Sequence, residues 1–369
     1  MKFLWLSWKD SWHPQAGGAE KILDTLCRHL VANGHEVTIL TASYPGASRT
    51  EKTADGIEYI RVGSNRYTHS FRALAHYLWR LRSKYDVVVE VVNTAPYLSV
   101  LFGGSAKRLL FYHQLAREVW FHETSPGVSH IGYFLLEPIA TRLLAASRVP
   151  AIAMSESTKR DLERFGFRTV HVVRQGHELE PIASLAPADK GVPTVLSFGT
   201  MRSMKRTLDQ IQAFELAKQR IPALRLKLAG KADSNYGAQV LSAIKNSPYT
   251  SDIEYLGPVT TAQKRDLMLA CDIIVVTSVK EGWGLIVTEA ASQGTPAVVY
   301  DVDGLRDSVK HDHTGVITEQ NPQALADGIV SLLADREKYE RLRVDGWQLS
   351  KQLTPEQTYQ DFMQVVNAL

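Results

Sequence analysis

The feature that most constrains this chain is an alternation, run twice, of short β-rich stretches with segments of helical periodicity. Residues 2–7 read as a strand, Ile22, Leu23, Leu26, Leu30 and Val31 fall at helical spacing, and 37–40 read as the next strand. Gly34 follows the helix where a C-terminal cap belongs. Further strands are expected at 57–62, 86–92, 108–113, 149–154 and 170–173. Residues 178–193 hold three prolines, one glycine and no sustained periodicity, which marks a connection between folding units. A second series then follows, at 194–198, 224–229, 253–256, 273–277, 297–300 and 315–318. Such alternation predicts an α/β fold of two Rossmann-like parallel-sheet domains, 1–178 and 179–355, with a last helix, 356–369, packing back on the first.

The bulk composition agrees and excludes several classes. A chain of 369 residues, 44% hydrophobic and 22% charged, is too long for one core and too apolar for disorder. No run reaches the roughly 18 to 20 apolar residues of a membrane-spanning helix. The apolar start gives way to Lys9 and Asp10, too soon for a signal-peptide core. Cys27 and Cys271 fall in helical stretches and make no secreted-protein framework, so a cytoplasmic location is expected. Up to Glu178 there are 22 Lys and Arg against 16 Asp and Glu, and beyond it 20 against 23. That mild split, without a reading motif, argues against nucleic acid as a partner.

Ligands of open parallel sheets bind beyond the carboxyl ends of the strands, and three loops there carry chemistry. Gly17 and Gly18, with Ala19 and Glu20, open the first helix, where backbone N–H groups can meet a phosphate; a plain surface turn is the alternative. Gly199 to Lys205 follow the first strand of the second half and put Arg202 and Lys205 beside its end, although exposed cations are also ordinary surface residues. The segment from Glu281 through Trp283, Gly284, Leu285 and Ile286 to Glu289 sets one carboxylate before a helix and another inside it. Both can border a ligand whose phosphates meet the N–H groups of Gly284 to Ile286. A capping glutamate and an ordinary exposed glutamate are the bland reading of that pair.

With these loops in view, the chain resembles family 4 of the retaining glycosyltransferases over nearly its whole length. The resemblance rests on the 17–20 turn, the run Ser155-Glu156-Ser157-Thr158-Lys159, the 199–205 loop, and Glu281 with Glu289 as the E-x7-E motif. It implies the GT-B fold, two Rossmann-like domains facing across a cleft. It also implies that Lys205 neutralises a donor diphosphate, that Glu281 contacts donor-sugar hydroxyls and that Glu289 binds the ribose. By the same resemblance Val259 lies by the nucleobase and His113 borders the reacting centre. The catalytic set is then Glu281, His113 and Lys205. Two departures stand out: Thr200 where relatives often carry arginine, with Arg202 as a substitute, and Gln175-Gly176-His177-Glu178 near the crossover.

The expected reaction is retaining transfer of a hexose from a nucleotide diphosphate sugar, UDP- or GDP-linked, to a saccharide or lipid-linked acceptor in glycan or cell-envelope synthesis. No metal or other cofactor is expected. Asp301-Val302-Asp303 looks like the metal-binding Asp-x-Asp of a different transferase fold, but it precedes Gly304 at a natural turn and is read as a decoy. In the 66–84 segment, Arg66, Arg72, Arg80, Arg82 and Lys84 surround Phe71, Leu74, Leu78, Trp79 and Leu81. That composition suits peripheral contact at the inner membrane face, or a crossover helix packed on the sheet. Trp5, Trp8, Trp12, Trp120 and Phe121 offer rings for sugar stacking or for the core. A sugar-nucleotide epimerase and a non-catalytic nucleotide-sugar or carbohydrate binder are the competing readings.

Overall fold

The computed structural model describes residues 1–64, 66–92, 96–102, 104–185 and 191–369, apart from the side chains of 66–68 and 101. Arg66 as a side chain and residues 186–190 of the expected connection lie outside that description. The chain divides into two compact units. The first comprises 1–120, 126–176 and 354–369, and the second 121–125 and 177–353. The division thus falls at 176/177 rather than 178/179, and five residues of the first half belong to the second unit.

In the first unit the strands are β1 (Lys2–Leu6), β2 (Glu36–Thr41), β3 (Thr50–Lys52), β4 (Glu58–Arg61), β5 (Val87–Val92), β6 (Lys107–Tyr112), β7 (Ala151–Ala153) and β8 (Val170–Val172). They lie in the order β3-β4-β2-β1-β5-β6-β7-β8, all parallel except for the β3/β4 pair. Strand β3 was not expected: Thr50, Glu51 and Lys52 are polar and exposed, and a turn through Gly56 (φ 91°) rather than any alternation folds them onto β4. Strand register sorts the core by face. Leu4, Leu6, Val88, Leu110 and Tyr112 share one side, packed by Ala73, Tyr77 and Leu81 and by Leu144 and Ala145. The other side carries Phe3, Trp5 and Phe111, met by Phe362 of the C-terminal helix Pro355–Ala368. Trp5 is therefore a core residue, stacked on Phe362 at 5.4 Å, and Trp120 is likewise buried, under Gly132.

The second unit holds β9 (Thr194–Phe198), β10 (Arg225–Ala229), β11 (Ile253–Tyr255), β12 (Ile273–Val276), β13 (Ala297–Tyr300) and β14 (Gly315–Thr318). The order β11-β10-β9-β12-β13-β14 is parallel throughout, and the order in which successive strands are added reverses between β9 and β12. Strands such as Ile273–Val276 are buried on both faces, as a sheet covered by helices on two sides requires. Ser155 caps the helix Glu156–Arg164 by accepting the Thr158 N–H, so the Ser155–Lys159 run is a helix start. No helix among the described residues is long and apolar enough to cross a membrane.

Candidate active site

In the second unit the loops after β9 and β12 emerge at the reversal point and are tied together. Thr277 donates its hydroxyl hydrogen bond to the Lys205 carbonyl at 2.8 Å and accepts from the Gln210 amide at 2.7 Å, and the Val279 N–H meets the Met204 carbonyl at 2.8 Å. The first loop leaves the sheet at Gly199 and passes so close to Gly230 that a Cβ there would stand 1.9 Å from the Gly199 carbonyl oxygen. Lys205 and Ser278 both donate to the same oxygen of Glu281, at 2.5 and 2.6 Å. Gly199, Thr200, Lys205, Ser278 and Ile286 line a small pocket beside this pair.

The Glu281 backbone is fixed from behind. Its N–H donates to the Asp303 carbonyl, and Gly304 (φ 82°) lies so close that a Cβ would overlap the Glu281 carbonyl. Asp301 and Asp303 grip Arg306 at 2.6 and 2.9 Å, and Asp303 also meets Lys280 at 3.1 Å. Burial pushes the Asp303 carboxyl up, but Lys280 and Arg306 outweigh it and hold it below the usual carboxylate range. The Asp-x-Asp thus forms an ion-pair brace for the Glu281 loop. Among the described residues no cluster of three or more His, Cys, Asp or Glu is placed to hold a metal ion.

The helix Leu285–Ser292 starts at Gly284 in the left-handed region (φ 86°), and no side-chain cap occupies its start. Its first-turn N–H groups, from Leu285 and Ile286, are the kind that bind phosphate oxygens. Glu289, 8% exposed, is paired with Lys264 at 2.5 Å, a partner that the sequence reading missed because it comes from the helix Thr261–Ala270. Val259 stands half-buried just before that helix. Among the described residues, the buried Trp283 indole N–H finds no hydrogen-bond partner. Arg202 is not aimed alone into the loop: its guanidinium makes two bonds, at 2.5 and 3.0 Å, to Glu123, which belongs to this unit. Thr277, Ser278, Gln210 and Lys280 were also missed, although Thr277 and Ser278 sit in the position right after β12 where strand-end chemistry is sought.

Gly17, Gly18 and His113 belong to the first unit. The Gly17 N–H is not bare: it donates at 2.7 Å to Glu20, whose carboxylate folds back from the first turn of the helix Gly18–Ala32 and pairs with Lys9 at 3.3 Å. His113 follows β6, edge-on to Phe111 at 5.2 Å. Burial depresses its pKa to about 4, against a smaller upward pull from Glu20, so the imidazole is neutral at neutral pH.

Two family models cover most of the chain: residues 16–181 match Glycosyltransferase Family 4, and 184–346 match Glycosyl transferases group 1. The chain belongs to the GT-B glycosyltransferases. A sucrose-phosphate synthase from Thermosynechococcus elongatus has the same fold, with a TM-score of 0.79 at 20% identity over 100% of this chain and 98% of that one. Anabaena Alr3699/HepE, solved with UDP and glucose, gives 0.74 at 18% identity over the full length of both. Among curated relatives, the N-acetyl-alpha-D-glucosaminyl L-malate synthase of Bacillus anthracis is 23% identical over 89% of this glycosyltransferase and 88% of its own length. The uncharacterized glycosyltransferase YqgM of Bacillus subtilis is 29% identical over 56% of this chain, a match that spans 57% of YqgM.

Proposed function

We propose that this glycosyltransferase moves a hexose, with retention and without a metal ion, from a UDP- or GDP-sugar to a saccharide or lipid-linked acceptor in glycan or cell-envelope synthesis. The reading rests on one arrangement: Lys205 and Glu281 beside the uncapped start of the helix Leu285–Ser292, with Glu289 one turn further in. UDP is favoured because the HepE structure of the same fold was solved with UDP and glucose.

When the bond from the anomeric carbon to the diphosphate breaks, its electron pair passes to the phosphate oxygen. Lys205 and the Leu285 and Ile286 N–H groups stabilise that charge, as preorganised donors do in a transition state. Glu281, held by Lys205 and Ser278, orients the sugar hydroxyls, and Glu289 the ribose. The acceptor oxygen attacks on the face the diphosphate leaves, and its proton passes to the departing phosphate oxygen. Within the first unit, the neutral His113 can accept a hydrogen bond from an acceptor hydroxyl, and Gly17 and Gly18 admit ligand close to the backbone. A cytoplasmic location fits a nucleotide-sugar donor.

The test is a thermal-shift screen against UDP-, GDP- and ADP-sugars with Glu289→Ala as the control, since a ligand of the folded state raises apparent stability. A shift with UDP- or GDP-sugar that vanishes in the variant is expected; no shift with any donor sinks the proposal. Product NMR must then show retention, and activity must survive EDTA.

A further inference from the structure

One outer helix of the first unit carries apolar residues on its outward side as well as its inward one. It runs through Pro126–Ile131, a π-helical turn at Gly132–Leu136, and Glu137–Ala146. Its protein-facing side is mixed: Leu144 and Ala145 join the core, Ser129 and Thr141 are buried with them, and buried Glu137 accepts the N–H groups of Ala116 and Arg117 and the Trp120 indole. Its outward side is apolar, with Val128, Ile131, Phe134, Leu135, Ile139 and Leu143 between 47% and 61% exposed. Steps of three and four residues keep 128, 131, 135, 139 and 143 on one stripe, and the wider π-helical turn brings Phe134 beside them. An ordinary surface helix turns such a stripe to the core, so this one marks an interaction surface.

The helix Arg66–Leu81 packs on the same face of the same sheet, since its Tyr77 and Leu81 cover Leu4, Leu6 and Val88 while Leu144 and Ala145 cover Leu110 and Tyr112. It too carries a π-helical turn, Tyr77–Leu81, and leaves Phe71 77% and Trp79 86% exposed. Arg72, Arg80, Arg82 and Lys84 are exposed in the 66–84 segment. Arg142 is exposed in the helix that carries the stripe, where its guanidinium also lies over Phe165 at 5.8 Å, and Arg148 is exposed just beyond that helix. Neither 66–84 nor 126–148 contains an acidic residue apart from the buried Glu137.

We propose that this helical face of the first unit binds an anionic phospholipid surface, with Phe71, Trp79 and the 128–143 stripe entering the boundary of the acyl chains and the arginines and Lys84 meeting head-group phosphates. A second copy of the chain is the poorer occupant, because a self-complementary face would press these cations against their own copies, and neither segment has an acidic residue beyond the buried Glu137 to offset them. The inference stands on this surface alone and holds whatever the acceptor is.

Co-sedimentation with sucrose-loaded vesicles tests it. The full chain should pellet with vesicles of phosphatidylcholine and phosphatidylglycerol in about equal parts, and about tenfold less with phosphatidylcholine alone. Phe71→Ser with Trp79→Ser, and separately Leu135→Ser with Ile139→Ser, should each weaken binding about tenfold while the donor-induced thermal shift stays unchanged. Failure to pellet with the anionic vesicles overturns the proposal, as does equal pelleting by wild type and both variants. A wild-type dimer in light scattering that Leu135→Ser with Ile139→Ser dissolves would give the stripe to a second copy instead.

Discussion

The strand-end loops of the two units are built from different chemistry. In the second unit they form a lattice of fixed charges: Lys205 on Glu281, Lys264 on Glu289, and Lys280 and Arg306 on Asp303. In the first unit the corresponding region is aromatic. Trp8 and Tyr44 pack on His13 at 6.0 and 5.4 Å, and Trp12 packs on Tyr59 at 4.9 Å. The charge there is sequestered, with Arg61 fully buried on Asp10 and Glu51, and His113 is kept neutral. A diphosphate leaving group demands cations already in place, whereas sugar hydroxyls and ring faces are met by flat, uncharged groups. Under the proposed function, that contrast fits a donor site in the second unit and an acceptor site in the first.

The largest effect should come from breaking the charged side. Lys205→Ala removes the cation next to the proposed diphosphate and should lower kcat by about 10²- to 10³-fold in a transfer assay, while the fold survives. Gly230→Ala attacks the same loop through the backbone. Its Cβ has no room beside the Gly199 carbonyl and φ is 142°, so a loss of more than about 2 kcal/mol in urea unfolding is expected, together with loss of the donor-induced shift.

His113→Gln sharpens the uncharged side. The folded pKa of His113 lies below the unfolded value, so between about 6.5 and 4 the unfolded chain binds the extra proton and stability falls as pH falls. The variant should show a flatter loss of Tm across that window and the same Tm above it. The smallest effect is expected for Arg202→Ala: the side chain is 48% exposed and paired with Glu123, so stability should change by less than about 1 kcal/mol. A large rise in donor KM would instead show that Arg202 leaves Glu123 for the diphosphate.

What the sequence determined by itself was everything carried by short-range pattern. Periods of 2 and 3.6 residues place the strands and helices because a side chain's face depends on its near neighbours, and the glycines at 34, 199, 284 and 304 stand where left-handed φ values of 81°, 139°, 86° and 82° are found. Position after a strand was enough to single out the 199–205 and 281–289 loops. Tertiary structure alone decided the pairings: Lys264 reaches Glu289 across 25 positions, Lys205 reaches Glu281 across 76, and the Asp301/Asp303 pair proves to be a brace for the Glu281 loop. It also decided that Trp5 is core, that Thr50–Lys52 pair as a strand, and that the 126–146 helix leaves an apolar stripe outward while Leu144 and Ala145 face the core. Periodicity records that a helix has two faces; which of them meets the protein depends on strand order and on partners such as Ala116, Arg117 and Trp120, which claim Glu137 for the interior.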